Sequence, residues 1–364
     1  MTKILPLSNL VKWVDARNKT LVSTNLLGIN IEKYFMPSVA NIIGTDLSSY
    51  KVINKFQFAC NPMHVGRDEK MPIALYDKEE PSIVSPAYFV FEVIDSQIIN
   101  PEYLMLWFKR PEFDREVWFH TDGSVRGGIT WEEILEMKVP VPSIKDQLEI
   151  VNKYKNIENR ISVLRQINDN LESQAYTYYQ ERIADKDKNS TLSDLAIITM
   201  GTSPDGDSYN DTGKGTVFYQ GRSDFGFRFP TIRLYTTEPR RFAYENDILM
   251  SVRAPVGDIN IAKEYCAIGR GLASLRPKDC CYSFLYYTLK QLNKELQRFN
   301  DDGTVFGSIT KDDLYCLKIV SLTMEERQQF ETQISKIDTE IKHNELEITY
   351  LITICSFILS QLAN

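Results

Sequence analysis

The residues best suited to a chemical role lie in a stretch of planar donors, glycines and aromatic rings that follows Thr216. An arginine can donate two hydrogen bonds to a guanine edge, a glutamine can pair with adenine in the same way, and glycine lets a backbone approach a duplex closely. The stretch therefore favours contact with the edges of DNA bases. The side chains from which we expect such contacts are Tyr219, Gln220, Arg222, Arg228, Arg233 and, after the next strand, Arg253.

The charge of the chain is unevenly distributed. The formal net charge is −7, yet residues 214–278 hold 11 basic and 6 acidic side chains, so this segment is positive and the remainder is acidic. A local positive field is what contact with phosphates requires, whereas net charge mostly sets solubility. An ordinary surface loop charged for solubility remains the alternative interpretation of the same residues.

A second and less basic candidate stretch runs from Asn61 to Asp68 and aligns with Ser251–Gly257. We expect Asn61, His64 and Arg67 to contact DNA there, with Lys33 as a further cation. The three histidines are too scattered for a metal cluster, and the six cysteines show no CxxC spacing. We find no catalytic set of side chains, so the sequence predicts a chain that is not an enzyme and binds neither metal nor cofactor.

The elements that must position these residues are duplicated. Asp122-Gly123-Ser124-Val125-Arg126-Gly127-Gly128-Ile129-Thr130 reappears as Asp302-Gly303-Thr304-Val305-Phe306-Gly307-Ser308-Ile309-Thr310, at an offset of 180 residues in a chain of 364. The protein is therefore predicted to be two copies of one plan.

Each copy continues into a long ladder of apolar residues spaced alternately by four and three. This spacing is typical of a coiled-coil seam, and neither helix can bury its seam alone, so each is the expected partner of the other. The rungs are Ile150, Tyr154, Ile157, Ile161, Leu164, Asn168, Leu171, Ala175 and Tyr178 in the first helix, and Phe330, Ile334, Ile337, Ile341, Asn344, Ile348, Leu351, Cys355, Ile358 and Leu362 in the second.

The polar rungs predict a register. In an antiparallel pair related by a pseudo-twofold, facing residues have a constant sum of numbers, and pairing Asn168 with Asn344 sets that sum at 512. The same sum places Leu164 opposite Ile348. A buried asparagine pair can fix register at a cost in stability. Alternatively, each asparagine turns towards solvent at a frayed seam.

The remaining pattern is mixed. Residues 88–93 are expected to form a buried strand, Asn100-Pro101 to begin a helix, and residues 131–137 to form a short helix before the extended Val139-Pro140-Val141-Pro142. Asn100-Pro101-Glu102-Tyr103 also resembles the Asn-Pro-Pro-Tyr motif of amino-methyltransferases, but it lacks the second proline. A polar linker at residues 185–190 precedes the second copy.

Together these features resemble the specificity subunit of Type I restriction-modification systems. The resemblance covers essentially the whole chain and rests on the duplicated Gly123-Ser124 and Gly303-Thr304 segments, the Val-Pro-Val-Pro entry with Asp146-Gln147, and Gly269-Arg270-Gly271-Leu272-Ala273. The second copy departs from the family pattern, with Arg327-Gln328 where Asp-Gln or Glu-Gln is usual. Arg270 joins the candidate DNA contacts on this basis.

The resemblance implies an α+β fold with two target-recognition domains separated by two long antiparallel helices that form a coiled coil. The expected segments are residues 1–142 and 186–322 for the domains, and 143–185 and 323–364 for the helices. Each domain would read one half of a split double-stranded DNA site. The implied partners are two modification subunits, which hold S-adenosylmethionine and methylate adenine N6, and restriction subunits.

Other functions remain open. The chain could be a coiled-coil scaffold that binds proteins without reading DNA, or the specificity subunit of a related Type II-like or methylation-only system. The sequence has no apolar run long enough to cross a bilayer and no signal-peptide core at its N-terminus, so we expect a cytoplasmic protein without membrane contact.

Overall fold

The computed structural model describes residues 2–39, 44–63, 65–121, 127–300 and 307–362. The chain divides into two compact units, one made of Met1–Ser162 with Thr349–Asn364 and the other of Val163–Ile348. His64 and most of each duplicated glycine-rich motif, at residues 122–126 and 301–306, lie outside the described residues.

The first unit contains a β-ribbon and two four-stranded sheets, in the orders β2-β9-β6-β7 and β4-β3-β8-β5. The ribbon pairs the first strand with the last, antiparallel. In chain order the strands are β1 (Lys3–Pro6), β2 (Val11–Trp13), β3 (Leu26–Ile29), β4 (Phe35–Pro37), β5 (Lys51–Ile53), β6 (Gln57–Cys60), β7 (Ile73–Leu75), β8 (Ser82–Val84), β9 (Phe89–Val93) and β10 (Lys138–Val141).

Short helices cover these sheets, and their starts follow from local sequence. Asn100 Oδ1 accepts hydrogen bonds from the backbone N–H groups of Glu102 and Tyr103, so Asn100-Pro101 begins a helix as predicted. Thr130 and Glu133 form a reciprocal capping box. The helices are α1 (Val65–Asp68), α2 (Pro101–Phe108), α3 (Pro111–Phe119) and α4 (Trp131–Glu136), with 3-10 turns at Leu7–Asn9 and Leu47–Ser49.

Aromatic rings from sheet and helices fill the core of this unit. Phe58 stacks on Phe91 with ring centroids 5.0 Å apart. Phe108 of α2 packs edge-on against Phe58 at 5.7 Å and against Phe113 of α3 at 5.0 Å. Such contacts add to the free energy already gained by burying the rings. They hold α2 and α3 against the sheet β2-β9-β6-β7.

The helix α5 (Ile144–Ile183) has 40 residues and contributes to both units. Unit 2 then repeats the plan of the first, with the sheets β12-β20-β17-β18 and β13-β15-β14-β19-β16. Its strands are β11 (Ser190–Thr191), β12 (Ala196–Met200), β13 (Tyr209–Asn210), β14 (Thr216–Tyr219), β15 (Leu234–Thr236), β16 (Phe242–Ala243), β17 (Ile248–Ser251), β18 (Ile259–Ile261), β19 (Cys266–Ile268), β20 (Leu272–Pro277) and β21 (Lys318–Ile319).

The helices of the second unit match those of the first. Thr310 and Asp313 form the capping box that corresponds to Thr130 and Glu133. One parallel strand pair recurs in each half, β3 with β8 and β14 with β19. The helices are α6 (Leu192–Leu195), α7 (Tyr282–Leu296), α8 (Lys311–Cys316) and α9 (Met324–Gln361), with 3-10 turns at Gly206–Ser208, Arg222–Asp224 and Gln297–Asn300.

Within the second unit, the segments of α5 and α9 pack side by side in opposite directions. Tyr178 stacks on Phe330 at 5.7 Å, and Asn344 Nδ2 donates to Asn168 Oδ1 at 2.8 Å, so numbers rise along one helix as they fall along the other. Both asparagines are buried, as are Leu164 and Ile348. The Asn168 amide also donates to Glu345 Oε1 at 2.9 Å. Burial raises the pKa of Glu345, and the Asn168 hydrogen bond opposes that shift.

The asparagine pair gives a test by substitution. Replacing Asn168 alone with Leu should lower the free energy of unfolding by ~1–3 kcal/mol, because the buried Asn344 amide loses its acceptor. The double substitution Asn168→Leu with Asn344→Leu should lower it by less than the sum of the two single losses, since no asparagine amide is left unpaired and only the half-buried Glu345 carboxylate loses a donor. Urea unfolding of the two single variants, the double variant and a surface control, Gln166→Leu, measures the coupling. Additive losses in the double variant would contradict the pairing.

Candidate nucleic-acid interface

Four loops of the second unit meet where strands end. Gly201, after β12, donates its backbone N–H to Leu272 O at 2.9 Å, and Gly269, after β19, donates to Tyr219 O at the end of β14 at 2.8 Å. Val252, after β17, donates to Gly271 O at 2.9 Å. We call residues 201–202, 220–222, 252–254 and 269–271 the loop cluster.

Glycine is required where these loops touch. A Cβ atom on Gly201 would lie 2.2 Å from Gly269 O, and one on Gly271 would lie 2.8 Å from Gln220 O. Neither contact is sterically allowed, so a side chain at these positions would force the backbones apart. The family motif Gly269-Arg270-Gly271 therefore has a packing role, and it holds the Arg270 side chain at the surface.

The exposed cations of the loop cluster differ in how they are neutralised. Arg253 and Arg270 are exposed and form no ion pair within the described part of the chain. Arg222 is exposed but its Nε donates to Asp258 Oδ2 at 2.5 Å. Gln220 is exposed next to them. The two unpaired arginines and Gln220 therefore offer donors to an anionic or polar ligand, while Arg222 would have to exchange its partner.

Asp224 organises the turn between Gln220 and Arg233. Its buried carboxylate accepts from the backbone N–H of Gln220 at 2.7 Å and from Arg233 Nε at 2.7 Å. Arg233 also donates to Ser223 Oγ at 2.9 Å. Half of the Arg233 side chain is exposed, so this arginine both fixes the turn and reaches solvent.

The structure corrects three of the expected contacts, since Tyr219, Arg228 and Lys33 are buried. Tyr219 ends β14, where it pairs with Ile268 of β19. It is 0% exposed and belongs to the hydrophobic core beside these strands. A side chain without exposed surface cannot reach a duplex. These three residues act in the packing of the units and not as direct contacts.

Arg228 lies among side chains of the three helices that surround it. Its Nη2 donates to Tyr287 Oη at 2.9 Å, and its Nη1 lies 3.1 Å from Asp338 Oδ1. Nη2 lies 3.7 Å from Glu172 Oε1, and the guanidinium stacks 4.0 Å from the centroid of the Tyr286 ring. Burial on its own lowers the pKa of Arg228, but the facing tyrosines and carboxylates outweigh that effect and raise it.

Lys33 is one of several buried cations of the first unit. Its Nζ donates to Asp114 Oδ1 at 2.8 Å and to Phe108 O at 2.5 Å, and it lies 4.9 Å from the centroid of the Phe113 ring. Burial lowers the pKa of Lys33, and the Asp114 carboxylate opposes that shift. Asp114 also accepts from the backbone N–H of Met71 at 3.1 Å. Lys33 thus joins the loop after β3 to the helices α2 and α3.

Asn61 lies on the loop after β6 and Arg67 on the short helix α1 that follows it, while His64 is outside the described residues. Asn61 is partly buried, and its Oδ1 accepts from the backbone N–H of Met63 at 3.0 Å. Arg67 is exposed and binds Asp68 through two hydrogen bonds of 2.7 and 2.9 Å, which raise the pKa of Arg67. The first unit therefore presents less unpaired positive charge at this loop than the second unit does.

The loop after β6 in the first unit and its counterpart after β17 in the second are held by the same kind of backbone contact. In the first, Gly66 donates to Gly127 O at 3.0 Å and Ile129 to Pro62 O at 3.3 Å. In the second, Ala254 donates to Gly307 O at 2.9 Å and Ile309 to Val252 O at 3.1 Å. The loops that follow β6 and β17 thus both rest on the segment that precedes the capped helix, α4 or α8.

Sequence reasoning missed the partners of Arg228, namely Glu172 and Asp338. They are 56 and 110 positions away in the sequence and lie on helices whose periodicity marks the apolar rungs alone. A carboxylate next to the seam carried no signal that could have assigned its partner. No group of three or more potential metal ligands occurs among the described residues. In that same part of the chain, no helix is apolar over a length that would cross a membrane.

These observations define a class of protein: a duplicated α+β chain in which each half joins a pair of small sheets to long helices and presents loops at strand ends. The profile of the family described as "Type I restriction modification DNA specificity domain" matches residues 15–173 and 185–350. The chain belongs to this family. The resemblance seen in the sequence and the expected duplicated α+β fold are both confirmed.

Individual relatives agree with this assignment. The chain is 27% identical over 337 residues to the "Putative type I restriction enzyme MjaX specificity subunit" of Methanocaldococcus jannaschii, an alignment that covers 85% of this chain and 78% of that protein. Its fold is similar to the crystal structure of the Type-I restriction-modification system S subunit from M. genitalium, with a TM-score of 0.60 and 15% identity over 100% of this chain and 96% of the other.

The burial of Lys33 predicts a loss of stability on substitution. Lys33→Ala leaves the Asp114 carboxylate buried without its cation, and such losses amount to ~3–5 kcal/mol. The matched control is Lys70→Ala, which removes an exposed ion pair with Glu32, and we expect it to cost ~0–1 kcal/mol. Denaturant unfolding monitored by tryptophan fluorescence compares the two. Equal stability of both variants would contradict the role given to Lys33.

Proposed function

We propose that this chain reads a bipartite double-stranded DNA sequence as the specificity subunit of a restriction-modification complex. The main support is that one chain of this family contains the same loop, resting on the same backbone segment, twice. In this proposal residues 1–142 and 186–322 are the two recognition domains, and each reads one half-site. Residues 143–185 and 323–364 are the helices that separate the half-site readers.

Within the complex, this subunit selects the DNA and its partners perform the chemistry. Two modification subunits hold S-adenosylmethionine, extrude the target adenine from the duplex and methylate N6. Restriction subunits join that core to translocate and cleave DNA. The unpaired positive charge on the second unit is local, so the partners supply further positive charge along the duplex.

Helix length sets the gap between the half-sites in this proposal. The helices α5 and α9 have 40 and 38 residues, and a rise of 1.5 Å per residue makes each about 60 Å long. Half-site spacing in two-part DNA readers is a geometric consequence of the protein that joins the readers. The register fixed by Asn168 and Asn344 then keeps the gap constant.

The first test is long-read methylation sequencing of a host that expresses this chain with its modification subunit, compared with the modification subunit alone. We expect a new bipartite N6-methyladenine motif in the first host and none in the second. The motif gives both half-sites and the gap directly. An assembled complex without such a motif would favour a protein scaffold over a DNA reader.

A second test concerns the two unpaired arginines. Arg253→Gln and Arg270→Gln should each weaken binding to the cognate duplex without changing the melting temperature, because neither side chain is buried. If the lost contact is to a phosphate, the slope of log K against log salt should fall by about 1. If it is to a guanine, discrimination at one base pair should fall by ~1–3 kcal/mol.

The matched control for these variants is Arg240→Gln. Arg240 is exposed and belongs to the same basic segment, but it is paired with Asp205, outside the loop cluster. Titrations of the assembled complex with cognate duplex at several salt concentrations compare the three variants. Unchanged affinity and salt slope in both cluster variants would remove Arg253 and Arg270 from the interface.

A further inference from the structure

The loop between Gly221 and Arg233 has an outer part and an inner tip. The outer part carries Arg222 and Arg233 at the surface. The tip turns at Gly226, whose N–H donates to Phe229 O at 3.2 Å, and carries Arg228 into the interior. We call residues 221–233 the recognition loop, because its outer side chains, Arg222 and Arg233, are among the contacts to DNA expected from the sequence.

Backbone and side-chain contacts hold the tip in a single conformation. Ile261 of β18 donates its N–H to Arg228 O at 2.9 Å. The Asn260 amide bonds Gly226 on both sides, accepting from its N–H and donating to its carbonyl, each at 3.1 Å. The direction of the Arg228 side chain is therefore set by the sheet that carries the recognition loop.

At its far end, the Arg228 guanidinium donates a hydrogen bond to Tyr287 of α7 and forms ion pairs with Asp338 of α9 at 3.1 Å and Glu172 of α5 at 3.7 Å. The acceptors are themselves connected. Tyr286 Oη donates to Glu172 at 3.0 Å, and Tyr287 Oη donates to Asp338 at 3.3 Å. One planar guanidinium can bridge several acceptors in this way, whereas a lysine ammonium, as a point charge on a flexible stem, cannot do so with the same geometry.

This cluster lies close to the asparagine pair along both helices. Glu172 is one turn from Asn168, and Asp338 is six residues from Asn344. A slip of one helix by one heptad would move its carboxylate by about 10 Å relative to the other. Arg228 could then no longer contact Glu172 and Asp338 together. Its contacts are thus compatible with one register of the helix pair.

We propose that Arg228 is a positioning residue that fixes the recognition loop to α5 and α9 and thereby makes the second half-site reader intolerant of a changed gap. The inference rests on the proposed function, in which these helices separate the half-sites. Arg228 does not touch the bases. Its loss therefore relaxes the distance between the half-sites while the base sequence of each half-site stays the same.

The experiment uses the full complex with its modification subunits and a series of duplexes whose gap is the native one or is one base pair shorter or longer. The variant Arg228→Lys keeps a charge but cannot bridge the three helices. The combined variant Arg228→Met, Glu172→Gln, Asp338→Asn removes all three charges together, so that no buried ion is left unpaired and folding is retained. Arg240→Gln is the control, and thermal melting verifies that each protein is folded.

We expect the wild type and the control to prefer the native gap, and this preference to fall by about tenfold in the Arg228 variants. The half-site sequences, read from the methylation pattern, should be unchanged. A merely structural loss would weaken binding to all duplexes by the same factor and leave the preference intact, and that result would overturn the inference. So would a folded combined variant that discriminates among gaps as the wild type does.

Failure of the proposed function gives a different result. A wild-type complex that binds no bipartite duplex specifically would contradict DNA reading itself, before any variant is compared. If Arg228→Lys does not fold, the combined variant still answers the question, because it removes the guanidinium without leaving Glu172 or Asp338 charged. An unchanged gap preference in that folded variant would again count against Arg228.

Discussion

The long helices impose the constraint on which the rest of the structure depends, because an apolar edge on a helix of about forty residues must be buried against another element. In the second unit the edge of α5 is buried by α9, and the core there is shared with α7 through Tyr179, Phe284 and Phe330. The sheets of this unit are therefore attached to the helices through a common hydrophobic core. Apolar packing alone tolerates sliding, whereas the buried Asn168 and Asn344 amides are satisfied in one register.

Duplication explains why two halves with different surfaces share one architecture. The capping bonds of Asp146 with Ser143 and of Glu326 with Thr323 show that Asp146-Gln147 corresponds to Glu326-Arg327, one position before the Arg327-Gln328 expected from the sequence. Gln147 and Arg327 then perform the same task with different chemistry. Gln147 is buried and donates to Ile98 O and Pro142 O, while Arg327 donates to Asp279 and Leu322 O at the corresponding places. The departure of the second copy from the family pattern is thus compensated within the fold. Substitution of the scaffold is constrained by such bonds.

Much of the fold could be predicted because it is encoded locally. The period of the apolar rungs predicted both long helices, and Asn100-Pro101 marked the start of a helix that the structure contains. The predicted rungs are buried or partly buried wherever the structure describes them. The helices and the start at Asn100 depend on residues a few positions apart, which is the range over which a sequence is directly informative. The asparagine pair joins residues 176 positions apart, and it was predicted from the duplication together with an antiparallel arrangement of the helices.

The candidate site was predicted less well, because whether a cation is free depends on partners that are distant in sequence. The segment 214–278 has an excess of basic residues, yet Arg222, Arg233 and Arg276 are paired with Asp258, Asp224 and Asp247. Arg228 and Lys33 are buried altogether. Counting charges therefore overstates the field available to DNA. At the loop cluster, the unpaired positive charge is limited to Arg253 and Arg270, on loops that are held in place by glycine contacts.

The burial of charged side chains requires an explanation, because well-packed apolar residues of similar size often stabilise a protein as much or more. Each unit nevertheless buries one cation on the loop that follows the first strand of its parallel pair, Lys33 after β3 and Arg228 after β14. The two side chains differ in the elements that they contact. Lys33 bonds to the neighbouring helices α2 and α3, whereas Arg228 extends to both long helices.

An apolar side chain in place of either cation could fill the same volume, but it would accept many orientations of the loop. A charged group with fixed donors accepts few. Burying these ions costs free energy, but it fixes the orientation of the loops that carry them. Orientation is the property that hydrophobic packing alone does not specify.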